Sequence, residues 1–252
     1  MAIGPFFPNG RVRADGYACI VFDCDSTLSA IEGIDELGGE RIEEIRALTD
    51  AAMDGSIPLE EVYGRRLGII QPTRERVEKL GRLYVERLVE DARETVAALL
   101  WLGKDVRIIS GGLRPPVEAL AEKIGIPAAS VRAVGIEFDG SGAYAGFESD
   151  SLLARSGGKP RVVREWSLPR PSLLVGDGST DLEARPEVDL FAAYMGVVHR
   201  EKVAAGADVV LSNQSLAPVL AIAAGKSDRG RLRSSQWAAL LARGDALLLT
   251  GQ

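Results

Sequence analysis

Three short stretches leave this chain little freedom in how it can fold: "YACIVF" at 17–22, "DVRIIS" at 105–110 and "SLLVGD" at 172–177. None shows the in–out alternation of a half-exposed strand, so each reads as a strand covered on both faces. "LFAAYMG" (190–196) and "DVVLS" (208–212) are further strand candidates. Strands covered on both faces need helices above and below them. That requirement predicts an α/β fold with a Rossmann-like, doubly wound parallel sheet. The first three runs end in polar or glycine residues, which gathers polar groups at one edge of the sheet. In open sheets of this kind, ligands bind at that edge.

The intervening segments have helical spacing. "VEALAEKIG" (117–125) places apolar residues three and four apart and closes on Gly125, a C-cap signal. Residues from Ile31 to Leu102 read almost wholly as helix, broken at Pro58 and again at "QPTRE" (71–75), where Thr73 is an N-cap candidate. This is more helix than one crossover needs. It predicts a helical cap at 31–102, inserted between core segments 16–30 and 103–225. "GIEFDGSGAYAGFE" (135–148) alternates around "DGSG" and predicts a hairpin. The extension at 226–252 starts polar and basic, and is expected to form a peripheral helix or an oligomer contact, such as a homodimer interface.

With a formal charge of −6 over 252 residues, the chain offers no global basic field to collect nucleic acid. No run approaches the roughly 20 apolar residues of a membrane helix. The opening sixteen residues carry Gly and Pro where a signal peptide needs an unbroken apolar stretch. Cys19 and Cys24 fit neither a disulfide framework nor a CxxC motif, and read as reduced thiols in or near the core. Together these features predict a cytoplasmic protein.

Chemistry concentrates in four clusters: Asp23 and Asp25 with "ST" after them; Ser110, Gly111 and Gly112; Lys159 after "SGG"; and "GDGSTD" with Asp177 and Asp181. Singly, each has a plain reading as a turn, a surface lysine or a solvated strand end. Three of them, however, end buried strands. Asp23 and Asp25, one residue apart, would repel each other unless a cation or a proton lay between them. The clusters therefore point to one active site.

These motifs (DxDST, SGG, Lys and GDGxTD) resemble the haloacid dehalogenase superfamily. Within it, "EGIDEL" (32–37), "AAM" (51–53), "RLGIIQPTRE" (66–75), "ISGGLRPPVE" (109–118), "YAGFE" (144–148) and "GDGSTDLEA" (176–184) look like the phosphoserine phosphatase family. The likeness covers residues 17 to 225. It implies a phosphomonoesterase that cleaves L-phosphoserine to L-serine and phosphate. Asp23 would attack phosphorus to form an aspartyl-phosphate, and Asp25 would serve as general acid and then general base. Magnesium would be held by Asp23, the backbone carbonyl of Asp25 and Asp177, with Asp181 behind them positioning Lys159 or a metal-bound water.

Ser110, Gly111, Gly112, Lys159 and Thr180 would contact the phosphate. Glu32 would take the substrate ammonium and Arg66 its carboxylate, with Met53 packed against the substrate. Asp54 and Leu59 depart from the family pattern, which commonly has Gly and an aromatic there. Other readings are a phosphatase for another small phosphorylated metabolite, a dehalogenase, or a binding module that has lost turnover. A dehalogenase fits poorly, because it has no alkoxide for Asp25 to protonate. His199 has no partner residues in the sequence that would make a zinc site.

Overall fold

The structure, a computed structural model, describes residues 13–53 and 57–250, the side chains of 50–53 excepted. β1 (Cys19–Phe22) is followed by α1 (Gly33–Glu36), α2 (Ile42–Met53), α3 (Leu59–Ile70), α4 (Arg74–Glu86) and α5 (Ala92–Trp101). Next come β2 (Asp105–Leu113), α6 (Arg114–Ile124), β3 (Val131–Val134) and a hairpin of β4 (Ile136–Phe138) and β5 (Tyr144–Phe147). α7 (Gly158–Glu165), β6 (Ser172–Gly176), α8 (Ser179–Glu183), β7 (Leu190–Tyr194), α9 (Glu201–Gly206) and β8 (Val209–Leu211) complete the core. α10 (Ala217–Ala223), α11 (Lys226–Arg233) and α12 (Ala238–Thr250) follow.

Six strands form one sheet in the order β3-β2-β1-β6-β7-β8, and every pair is parallel. All residues of β1, β6 and β7 are buried, as the unbroken apolar runs require. Each fully buried Val, Leu, Ile or Phe here contributes roughly 1.5–3 kcal/mol to holding the layers together. The chain runs outward from β1 to β2 and β3, then returns to β6 on the other side of β1. Strand order therefore reverses at β1, and a crevice opens there at the carboxyl ends of the strands.

The helical excursion after β1 breaks where the sequence indicates. α3 begins directly after Pro58, and the Thr73 hydroxyl accepts from the Arg76 amide at the start of α4. Its extent is a correction. Ala30 N donates to Arg87 O and Val89 N to Leu28 O, so the outgoing segment at 28–30 and the returning segment at 87–89 lie side by side and close the excursion. α5 then packs on β2 and α10 as the crossover, and does not belong to a cap reaching residue 102. Its buried stripe of Thr95, Val96 and Leu99 has the same spacing whether it faces a sheet or another helix, so periodicity cannot separate the two.

α4 lies along α6 and ties the cap to the core. Gly125 ends α6 at φ +85°, in the left-handed region expected of its cap. In the hairpin, Asp139 Oδ1 accepts from the amides of Ser141 and Ala143 and sets the turn. The extension forms two helices rather than one. α12 lies on α10 with Leu241 and Leu248 buried and Gly244 at the crossing, where a Cβ would come within 2.3 Å of the Ala217 carbonyl oxygen. No helix among the described residues is long and apolar enough to cross a membrane.

Candidate active site

Strand register assembles the site. Phe22 stands level with Ile108 on one side and Val175 on the other, and Asp23 N still donates to Val175 O at 2.9 Å. The residues just beyond, Asp23, Ser110 and Asp177, therefore emerge side by side at the crevice. The Ser110–Gly112 segment is not a turn. β2 runs through it to Leu113, with a register shift against β3 between Ile109 and Leu113.

Lys159 enters from the first turn of α7. Its Nζ lies 2.7 Å from Asp181 Oδ1 and 3.0 Å from Asp23 Oδ1, and all three side chains are buried. Burial opposes the lysine's charge, but Asp181 and Asp23 together hold its pKa above the usual range. Burial raises the Asp23 carboxyl well above its ordinary value, and repulsion from Asp181, Asp177 and Asp25 adds to this against the pull of Lys159. Burial and Asp181 likewise lift Asp177 to about 6. Asp181 is fixed from behind, its Oδ2 accepting from Gly178 N at 3.0 Å. Gly176 makes room for it, since a Cβ there would come within 2.3 Å of Asp181 Cγ.

Asp25 is held separately. Its Oδ1 accepts from the Tyr84 hydroxyl at 2.5 Å and the Gly33 amide at 2.7 Å, while the Ser110 hydroxyl reaches Oδ2 at 3.3 Å. Burial raises its pKa more than these hydrogen bonds lower it. Ser110 is buried with its hydroxyl on Asp25, while Gly111, Gly112 and Thr180 line the pocket itself.

Glu32 and Arg66 line the same pocket from the cap side. Glu32 Oε1 accepts from the Ser26 hydroxyl at 2.7 Å, and Arg200 lies 3.5 Å away. Burial, then repulsion from Asp25 and Asp177, raises Glu32 to about 8. The Arg66 side chain is buried, with one terminal nitrogen donating to Thr49 Oγ1 at 3.0 Å and lying 3.9 Å from Asp35. Leu59 opens α3 at the pocket wall. Met53 ends α2, but its side chain and the whole of Asp54 lie outside the described residues. His199 is exposed, and Cys19 and Cys24 are buried and free.

Several participants escaped the motif reading. Arg200, on the loop after β7, donates to Asp177 Oδ2 at 3.2 Å and joins it to Glu32. Its signal was available, because that loop leaves the same carboxyl edge of the sheet. Tyr84, Thr49 and Asp35 reach the site from helix faces whose spacing looks like ordinary core, and the sequence carries no local sign of them.

The sequence matches the haloacid dehalogenase-like hydrolases over residues 20–184. It is 39% identical over 191 residues to the phosphoserine phosphatases of Bos taurus and of Homo sapiens, an overlap covering 73% of this chain and 84% of each relative. The chain belongs to the phosphoserine phosphatase family of haloacid dehalogenase-like hydrolases. A phosphoserine phosphohydrolase-like protein from Francisella tularensis has the same fold, with a TM-score of 0.70 at 25% identity over 77% of this chain and 94% of that one.

Membership gives the acidic cluster a purpose. Carboxylate oxygens of Asp23, Asp177 and Asp181 all lie within 4.8 Å of one another. A buried, anionic, oxygen-only donor set of this kind suits a hard divalent cation and would relieve the repulsion among its members.

Proposed function

We propose that this chain hydrolyses L-phosphoserine to L-serine and phosphate with magnesium as cofactor, and that it works in the cytoplasm. One observation carries the reading: Asp23, Asp25 and Lys159 share a single pocket with Glu32 and Arg66. The first three suit phosphoryl transfer, and the last two suit an amino acid.

Asp23 is the nucleophile, attacking phosphorus while the serine oxygen departs. Asp25, whose carboxyl burial pushes above its ordinary value, donates a proton to that oxygen and later takes one from the hydrolytic water. Lys159 and the Gly111 amide stabilise the charge spreading over the phosphoryl oxygens. Asp181 holds Lys159 in place and has both oxygens engaged, so Asp23, Asp177 and the Asp25 carbonyl are assigned as metal ligands. A magnesium ion held by these residues would neutralise charge on the phosphate and on the surrounding carboxylates. Glu32 receives the ammonium and Arg66 the carboxylate.

Treatment with EDTA is expected to stop phosphate release and added magnesium to restore it. Calcium should restore it poorly, because its looser, higher-coordinate shell can engage both Asp23 oxygens. Full activity after exhaustive chelation would contradict the site.

Arg66 provides the substrate test. A hydrogen bond to a charged group is worth roughly 1.5–3 kcal/mol. Arg66→Ala should therefore lower kcat/KM for phosphoserine by about one to two orders of magnitude. An aryl phosphate, which carries no carboxylate, should be far less affected. Equal losses on both would make Arg66 a cap support rather than a substrate contact, and would reopen the case for another small phosphorylated metabolite.

A further inference from the structure

One polar atom in the pocket wall has no part in the chemistry above. The Tyr63 hydroxyl is buried, yet finds no hydrogen-bond partner among the described residues. A buried hydroxyl left unpaired typically costs about 1–3 kcal/mol, so its persistence calls for a partner that arrives later. Tyr63 lies in the middle of α3, one turn after Leu59 and just under one turn before Arg66. All three residues line the active-site pocket, as expected for one helix face.

The neighbours of the ring define its orientation. Phe147 packs against it with ring centroids 5.1 Å apart, and the Arg66 guanidinium sits 5.7 Å from its centroid. The phenol also senses the charges of Arg66 and Asp25, and burial holds its pKa far above neutral. It therefore offers a proton donor at any physiological pH. Arg66 adds a second open donor, because its Nε is buried and also without a partner among the described residues. Two unpaired buried donors within one turn of the same helix, both on residues that line one pocket, call for one acceptor group with two oxygens.

We propose that Tyr63 is a specificity residue that donates its hydroxyl hydrogen to the same substrate carboxylate that Arg66 binds. The assignment rests on the reading of Arg66 as the carboxylate ligand. It makes the cap's selectivity depend on two donors of different kind: a charge that attracts the carboxylate and a neutral hydroxyl that fixes its orientation. A substrate lacking the carboxylate would leave both donors buried and unpaired, and is rejected for that reason.

Tyr63→Phe tests this with the least disturbance, because the ring and its packing on Phe147 remain. Steady-state constants would be measured for phosphoserine and for phosphoethanolamine, which is the same molecule without the carboxylate. The ratio of kcat/KM for the two is expected to fall about tenfold or more in the variant, mainly through a higher KM for phosphoserine. The melting temperature without substrate should hold or rise, since an unpaired buried hydroxyl has been removed. An unchanged ratio, or equal losses on both substrates, overturns the assignment. So does a clearly lower melting temperature, which would reveal a structural partner for the hydroxyl. A wild-type protein idle on phosphoserine would end the substrate reading itself, whereas a working wild type with an unchanged ratio in the variant ends only the role of Tyr63.

Discussion

Asp23→Asn is expected to abolish phosphate release while leaving the protein folded, and the folded state should be no less stable than the parent. The loss of activity follows from chemistry. An amide is too poor a nucleophile to open the two-step route through an aspartyl-phosphate, and it carries no charge to help hold a cation. Lys159 would remain in place, because Asp181 still accepts from its Nζ at 2.7 Å.

The stability argument comes from the same geometry. In the metal-free protein Asp23 is buried beside Asp25, Asp177 and Asp181, and both burial and this repulsion disfavour its ionised form. Replacing it with a neutral isostere removes that penalty, the trade of stability for activity common at catalytic sites. Thermal melts should therefore show the variant at or above the metal-free wild type. Added magnesium should raise the wild-type melting temperature by mass action and raise that of the variant much less. Phosphate release at anything near the wild-type rate would eliminate the aspartyl-phosphate mechanism.

How much of this could be read from the chain depends on where each residue's constraint lies. Asp23 and Asp177 were legible because each follows a strand buried on both faces, and Ser110 because it closes the apolar run of β2; their adjacency then follows from parallel register alone. Pro58, Thr73 and Gly125 were legible because backbone chemistry at a helix end is local. The role of α5 was not, since a helix on a sheet and a helix in a cap bury the same stripe. The strand path through Gly111 and Gly112 was hidden by the turn preference of glycine. At Gly112 the missing side chain serves a different end: a Cβ there would come within 2.7 Å of Asp25 Oδ2. Tyr84, Tyr63 and Thr49 were invisible for a further reason. Each lies on a helix face that would be apolar or buried in any case, and only the fold shows that Tyr84 meets Asp25, that Thr49 meets Arg66 and that Tyr63 lines the pocket.

Asp25→Asn is expected to separate the two halves of the reaction. The variant should fold, because Asn Oδ1 can still accept from Tyr84 and from the Gly33 amide, and the Ser110 hydroxyl can rotate to meet the new donor. What disappears is the proton. A serine alkoxide is a poor leaving group, so turnover of phosphoserine should fall by about 10²–10⁴-fold, the usual range for losing a general acid–base group. A nitrophenyl phosphate differs because its leaving group departs without protonation. Its first step should survive, with Asp23 taking the phosphoryl group and nitrophenolate released. Hydrolysis of the aspartyl-phosphate would then stall, since no base remains to activate water. Rapid mixing should show a burst of nitrophenolate approaching one equivalent per site, followed by a slow steady rate, and phosphoserine should give no matching burst of serine. A variant that lost the same factor on both substrates, with no burst on either, would show that Asp25 shapes the site without moving the proton.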